Sequence, residues 1–175
     1  IADEANMQHS AVSGIAFNQD EAKLVIYGVP NKPGIAAHIL GSMSDVHIEV
    51  DMIVQTQTEE EKTDLAFTVH KRDFQQALLI LENVAKAINA KHITSDAHVA
   101  KLSLVGVGMR THAGVASKMF QVLGKEGINI QLISTSEIKI SVIINEQYLE
   151  RGVRALHDAF QLGTEERKTK EIEQC

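Results

Sequence analysis

Gly34-Ile35-Ala36-Ala37, followed by Ile48-Glu49-Val50-Asp51-Met52-Ile53, returns later in the chain as Gly114-Val115-Ala116-Ser117 and Ile128-Asn129-Ile130-Gln131-Leu132-Ile133. Both pairs of segments are 80 residues apart, and a fixed internal period marks one supersecondary unit used twice. A short apolar strand runs ahead of each copy, Leu24-Val25-Ile26-Tyr27 and Leu102-Ser103-Leu104-Val105. The unit sets a Gly turn between a strand and a helix. Backbone N–H groups at such a helix start are available to an anion.

Working outward, the first copy reads as strand 23–29, turn 30–33, helix 34–44, strand 47–55, strand 63–70, helix 73–88 and strand 92–96. Pro33 suits a first helical turn, where its missing N–H costs nothing, and Ile35, Ile39 and Met43 make one helical stripe. Ile48, Val50, Met52 and Val54 alternate with Glu49, Asp51, Ile53 and Gln55, which predicts a strand with one apolar face. Phe74, Ala77, Leu78, Leu81, Ala85 and Ile88 mark a long amphipathic helix. The order βαββαβ is that of the ferredoxin-like split βαβ unit.

The second copy repeats it as strand 102–108, helix 114–125, strand 128–135, strand 138–144 and helix 147–160, but no closing strand follows. Thr164 to Lys170 is too charged for one and reads as a frayed tail. A spare strand, Ala11–Phe17, lies instead ahead of the first copy, with Val12, Ile15 and Phe17 as its apolar residues. Placing it on the open edge of the second sheet removes an exposed edge. The predicted fold is therefore α+β: two ferredoxin-like domains in tandem, the first inserted in the second. Its bounds are 19–98 for the first domain and 11–18 plus 99–163 for the second, with 1–10 and 164–175 as flexible termini. A swapped strand or a simple extension is the alternative.

Net charge is −6, with 44% hydrophobic, 23% charged and 4% aromatic residues. An acidic chain lacks the basic face that nucleic acids and anionic membranes require. The RNA-recognition use of a βαββαβ sheet would also need aromatics on that sheet. Cys175 is a lone cysteine and forms no intrachain disulfide. No apolar run approaches the ~20 residues that cross a bilayer. These features predict a soluble, cytoplasmic protein without nucleic-acid or membrane partners. Met7 as a natural start, and residues 1–6 as the remnant of a tag or of a longer chain, are both open readings of the first residues.

The eight His residues show no metal-ligand spacing. His70 and His92 fall at strand ends and His112 in the second Gly turn. No nucleophile elbow, Cys–His pair or kinase signature is present, and Gly106–Gly114 lacks the Gly-Lys-Ser/Thr ending of a phosphate loop. Neither a catalytic residue nor a metal or cofactor is expected. Ligand binding has more support. The amides of 34–37 open a helix and suit a carboxylate, while Glu49 and Asp51, with Gln55 further along the predicted non-core face, suit an ammonium group. Together they match a free α-amino acid. The same residues also fit plain tight turns and solvated acids, and both readings stay open at this level.

Asn31-Lys32-Pro33-Gly34, Val50-Asp51-Met52-Ile53-Val54-Gln55, Leu104-Val105-Gly106-Val107-Gly108-Met109 and Ile133-Ser134-Thr135-Ser136-Glu137-Ile138 resemble the C-terminal regulatory region of bacterial aspartate kinases, a tandem pair of ACT domains. The similarity covers about residues 11–163. It implies the inserted topology, and a chain that is not an enzyme by itself but regulates a kinase phosphorylating aspartate. It also implies a homodimer through the ACT domains, association with a catalytic α subunit, and feedback control by threonine or, second, lysine in the pathway toward lysine, threonine and methionine. A stand-alone ACT sensor without a kinase is the alternative.

The resemblance further implies effector sites where the first ACT domain of one chain meets the second of another. Asn31, Lys32, Pro33, Gly34, Ile35, Ala36, Glu49, Val50, Asp51 and Gln55 would form one wall. Arg110, Thr111, Val115, Ala116, Asn129, Ile130, Ser136 and Glu137 would form the other. Two positions depart from the family pattern: Glu49 stands where Asn is usual, and Thr56 follows Gln55 where Asn is common.

Overall fold

A computed structural model describes residues 12–106 and 113–162. Its first strand is longer than hydropathy suggests. β1 (Gly14–Pro30) runs through the polar stretch Asn18-Gln19-Asp20-Glu21, so the two predicted strands 11–17 and 23–29 are one element. There follow α1 (Ile35–Ser44), β2 (Val50–Gln57), β3 (Lys62–His70), a 3-10 turn (Lys71–Asp73), α2 (Phe74–Ala87) and β4 (His92–Val105). The second copy supplies α3 (Ala113–Lys125), β5 (Leu132–Thr135), β6 (Lys139–Asn145), a 3-10 turn (Glu146–Tyr148) and α4 (Leu149–Ala159). β4 likewise fuses the predicted strands 92–96 and 102–108. The end of the latter, with Ala11 and the termini 1–10 and 164–175, lies outside the described residues.

The chain divides into an inserted unit, Asp20–Val99, and an outer unit, Ile1–Gln19 with Ala100–Cys175. Strand order in the inserted unit is β2-β3-β1-β4, with β3 antiparallel to both β1 and β2. Ile39 and Met43 of α1 and Ala77, Leu81 and Val84 of α2 are buried with Leu24, Ile26, Leu65 and Phe67 of the strands. A fully buried Leu or Ile of this kind contributes about 1.5–3 kcal/mol. In the outer unit the order is β1-β4-β6-β5. Ser13 N–H donates to the Val105 carbonyl at 2.7 Å, and Val12 and Ile15 join a core of Leu102, Leu104, Met119, Leu123, Leu156 and Phe160. The fold is thus the expected pair of ferredoxin-like domains, with the N-terminal strand completing the second sheet.

Two bulges refine the strands. Between Ile26 and Val29 the β1–β3 register shifts. Gly28 there adopts φ 62° and donates its N–H to the Asp64 carboxylate at 2.8 Å. In β2 the register shifts between Val50 and Ile53, so Asp51 and Met52 together oppose Thr68. The Thr68 hydroxyl accepts the Met52 N–H at 3.0 Å. An extra residue reverses the facing of everything beyond it. Ile48 and Val50 pack on the helix-side core, whereas Val54 pairs with Ala66 on the other face, and Ile53 and Gln55 pair with Phe67 and Leu65 on the helix side. The single alternating face predicted for 48–54 is corrected accordingly.

In the second copy two successive residues also meet one partner, with Gln131 N–H donating to the Ile143 carbonyl at 2.8 Å while Leu132 pairs with Ile143. The position of Thr68 is here Ile143, with no hydroxyl to bridge the gap. β5 therefore begins only at Leu132 instead of the predicted 128. No helix among the described residues is long and apolar enough to cross a membrane.

Candidate functional site

The turn leading into α1 is held by its own backbone. Asn31 N–H donates to the Glu61 carbonyl at 3.0 Å, Lys32 N–H to Pro30 at 2.9 Å and Ile35 N–H to Lys32 at 3.2 Å. Gly34 is the N-cap, at φ 87° and ψ −5°, a left-handed conformation that glycine adopts without strain. Pro33 thus stands one residue ahead of the cap and not in the first helical turn. No side chain caps the helix, and its first turn carries no acid. The first intrahelical bond is His38 N–H to Gly34 at 2.9 Å, so the amides of Ala36 and Ala37 have no acceptor within the helix. Asn31, Lys32, Pro33 and Gly34 are exposed, and Ile35 and Ala36 half-buried.

Beside this helix start lies a narrow depression, too tight for a water molecule, lined by Ile35, Ala36, Ile39, Gln55, Thr63 and Leu65, of which Ile39, Thr63 and Leu65 are buried. The β2 bulge brings Gln55 there, on the helix side and not on a face shared with Asp51. Gln55 Nε2 donates to Thr63 Oγ1 at 3.2 Å, and Thr63 Oγ1 donates to the Thr56 carbonyl at 3.0 Å. Of the expected first wall, the depression gathers Ile35, Ala36 and Gln55. Asn31 to Gly34 form the adjoining turn. Glu49 and Asp51 are exposed, Val50 is half-buried against the core, and none of the three lines the depression. Bulges re-aim the side chains they carry, and Asp51 sits in one.

Sequence reasoning missed Thr63, Ile39 and Leu65 as lining residues. Thr63 carried a signal: it occupies the apolar rhythm Leu65, Phe67, Val69 and is only 1% exposed, so a hydroxyl stands where a hydrocarbon was due.

In the second copy, Val115 lies in the outer unit's core, and Ala116 and Ile130 pack against it half-buried. Asn129 is exposed. Ser136 and Glu137 occupy the β5–β6 turn, where Ser136 N–H donates to the Lys139 carbonyl at 2.8 Å. Arg110 and Thr111 lie outside the described residues. Among those described, no three His, Cys, Asp or Glu gather as a metal-ligand set. On β1, burial pushes Lys23 below the usual lysine range, with Asp96 pulling it partly back.

The family model described as "ACT domain" matches this chain at residues 23–89, and a second model of the same description matches 102–160. An aspartate kinase of Pseudomonas fluorescens is 58% identical over 162 residues, which are 93% of this chain and 39% of that protein. The aspartokinase of Helicobacter pylori is 46% identical over 89% of this chain and 38% of its own length. The chain therefore spans about two fifths of the relatives it matches. A crystal structure of aspartokinase alpha and beta subunits includes a chain 52% identical, at TM-score 0.81, covering 87% of this chain and 100% of that one. The ligand-free regulatory subunit of aspartate kinase from Thermus thermophilus is 41% identical at TM-score 0.80, covering 86% and 99%.

Proposed function

The chain belongs to the aspartate kinase family, as its tandem ACT-domain regulatory region, and on that premise we propose that it is the allosteric unit through which an end-product amino acid restrains aspartate phosphorylation. Threonine is the leading effector and lysine the second. The observation that carries this reading is the α1 start: Gly34 in the left-handed region, amides of Ala36 and Ala37 without helical acceptors, and half-buried Ile35 with the exposed Gln55 amide near them. Helix-start amides favour a carboxylate. Asp51 and its exposed neighbour Glu49 supply negative charge for an ammonium group. Gln55 and Asn129 present amides to a side chain.

The sites are completed where the first ACT domain of one chain meets the second of another, with Arg110, Thr111, Val115, Ala116, Asn129, Ile130, Ser136 and Glu137 on the second wall. An effector then stabilises the arrangement of the dimer that contains the closed site. Typical allosteric coupling is about 1–3 kcal/mol, or roughly 5–150-fold in affinity, and it vanishes for a ligand that binds both arrangements equally. A kinase catalytic subunit or domain is the partner that receives the signal. No cofactor is needed.

Calorimetric titration of the chain with threonine and with lysine tests the reading. A folded dimer giving no heat with either would overturn it. Asp51→Ala is expected to abolish binding; unaltered affinity would remove Asp51 from the site.

A further inference from the structure

We propose that Thr63 is a positioning residue that fixes which end of the Gln55 amide faces an effector, and so makes the first-copy site selective for a side chain that can donate a hydrogen bond. The proposal rests on the effector-binding reading above. A glutamine amide offers a donor end and an acceptor end that swap by rotation. Here the swap is blocked. The Thr63 hydroxyl has a single proton, and its contact with the Thr56 carbonyl at 3.0 Å consumes it, since a carbonyl can only accept. Toward Gln55, at 3.2 Å, Thr63 can therefore only accept, and the amide must turn its NH2 inward. Gln55 is itself exposed, so its Oε1 is left as the end turned outward, near half-buried Ile35 and Ala36. Thr63 itself is 1% exposed, so water does not compete for its hydroxyl. An outward acceptor beside an aliphatic wall fits a small amino acid with a hydroxyl and a methyl, and disfavours one of the same shape without the hydroxyl.

The second copy has lost this device. Its position for Gln55 is Thr135, and hairpin pairing makes Ile138 the counterpart of Thr63. Ile138 is 55% exposed and has no hydroxyl. The two copies share a backbone plan but not this selectivity.

The test uses the whole chain with Thr63→Val, which keeps shape and branching, and Thr63→Ser, which keeps the hydroxyl. In isotope-edited spectra of the unmodified chain, the Gln55 side-chain amide should show one proton shielded from exchange. That shielding should vanish in Thr63→Val and return in Thr63→Ser. A solvent-like Gln55 amide in the unmodified chain overturns the proposal, whatever the chain binds. In titrations, Thr63→Val should weaken L-threonine by about five- to tenfold, the worth of one net hydrogen bond, and leave L-valine unchanged. Thr63→Ser should restore the preference. Equal weakening of both ligands, or of neither, also overturns it. If the unmodified chain binds no amino acid, the effector reading fails, and the amide spectrum still decides the role of Thr63.

Discussion

His47 and Gly127 occupy one place in two copies of a single helix ending. Their φ angles are 60° and 69°, and the next amides close the same bond, Ile48 N–H to Met43 at 3.0 Å and Ile128 N–H to Leu123 at 2.9 Å. A side chain in this left-handed region costs about 1 kcal/mol, and glycine avoids it. His47→Gly should therefore stabilise the chain by about 0.5–1 kcal/mol in urea unfolding. Gly28 is the opposite case, because a Cβ there would lie 2.7 Å from the Lys91 Cβ. Gly28→Ala should cost about 1–3 kcal/mol by the same measurement. Lys23 gives a pH dependence. Burial holds its folded pKa below 10.5, with Asp96 acting the other way, so between the folded value and 10.5 the unfolded chain binds more protons. Stability from this group rises with pH across that window. Lys23→Met should stabilise the chain at neutral pH, with an advantage that shrinks as pH nears 10.5. An advantage constant with pH would assign the gain to packing instead of charge.

Strand β2 shows how one hydroxyl extends an element. Thr68 Oγ1 takes the Met52 N–H at the bulge, and pairing continues to Val50. In the second copy, with Ile143 at that place, the strand stops at Leu132. Thr68→Val should cost about 1–2 kcal/mol for the orphaned amide and speed hydrogen exchange at Val50 to Met52. Unchanged exchange there would show that the hydroxyl is incidental. The same bulge marks where sequence reading ran out. Periodicity found every α-helix among the described residues and placed β3 within a residue, because those segments bury one regular face. It could not see an added residue between Val50 and Ile53, and so it put Gln55 beside Asp51 instead of beside Ile35. Thr63 was passed over for a related reason: its role lies in a contact with Gln55 eight residues away, which no local pattern encodes. Asn18 to Glu21 fell between the two predicted strands 11–17 and 23–29 for want of apolar residues, although polarity alone does not end a strand.

At the scale of the molecule, the duplication was the legible part, since two apolar patterns 80 residues apart cannot both be accidents of composition. The unclosed second sheet then pointed to Val12 and Ile15. Removing residues 1–19 should strip the outer unit of that strand. We expect hydrogen-exchange protection of Ala100–Val105 to fall while Leu24, Leu65 and Leu81 of the inserted unit keep theirs. Rejoining 11–19 after Leu162 through a flexible tether should restore it, and failure of the permuted chain to recover protection would count against the topology. The inserted unit also has its two ends on adjoining strands: Lys91 N–H bonds the Tyr27 carbonyl at 2.9 Å, and β1 and β4 stay neighbours from there. Entry and exit side by side make it a cassette. It can be lifted out and the gap between Gln19 and Ala100 sealed by a tight hairpin turn, or replaced by a foreign module whose termini meet in the same way, which turns a natural insertion point into a socket for built sensors.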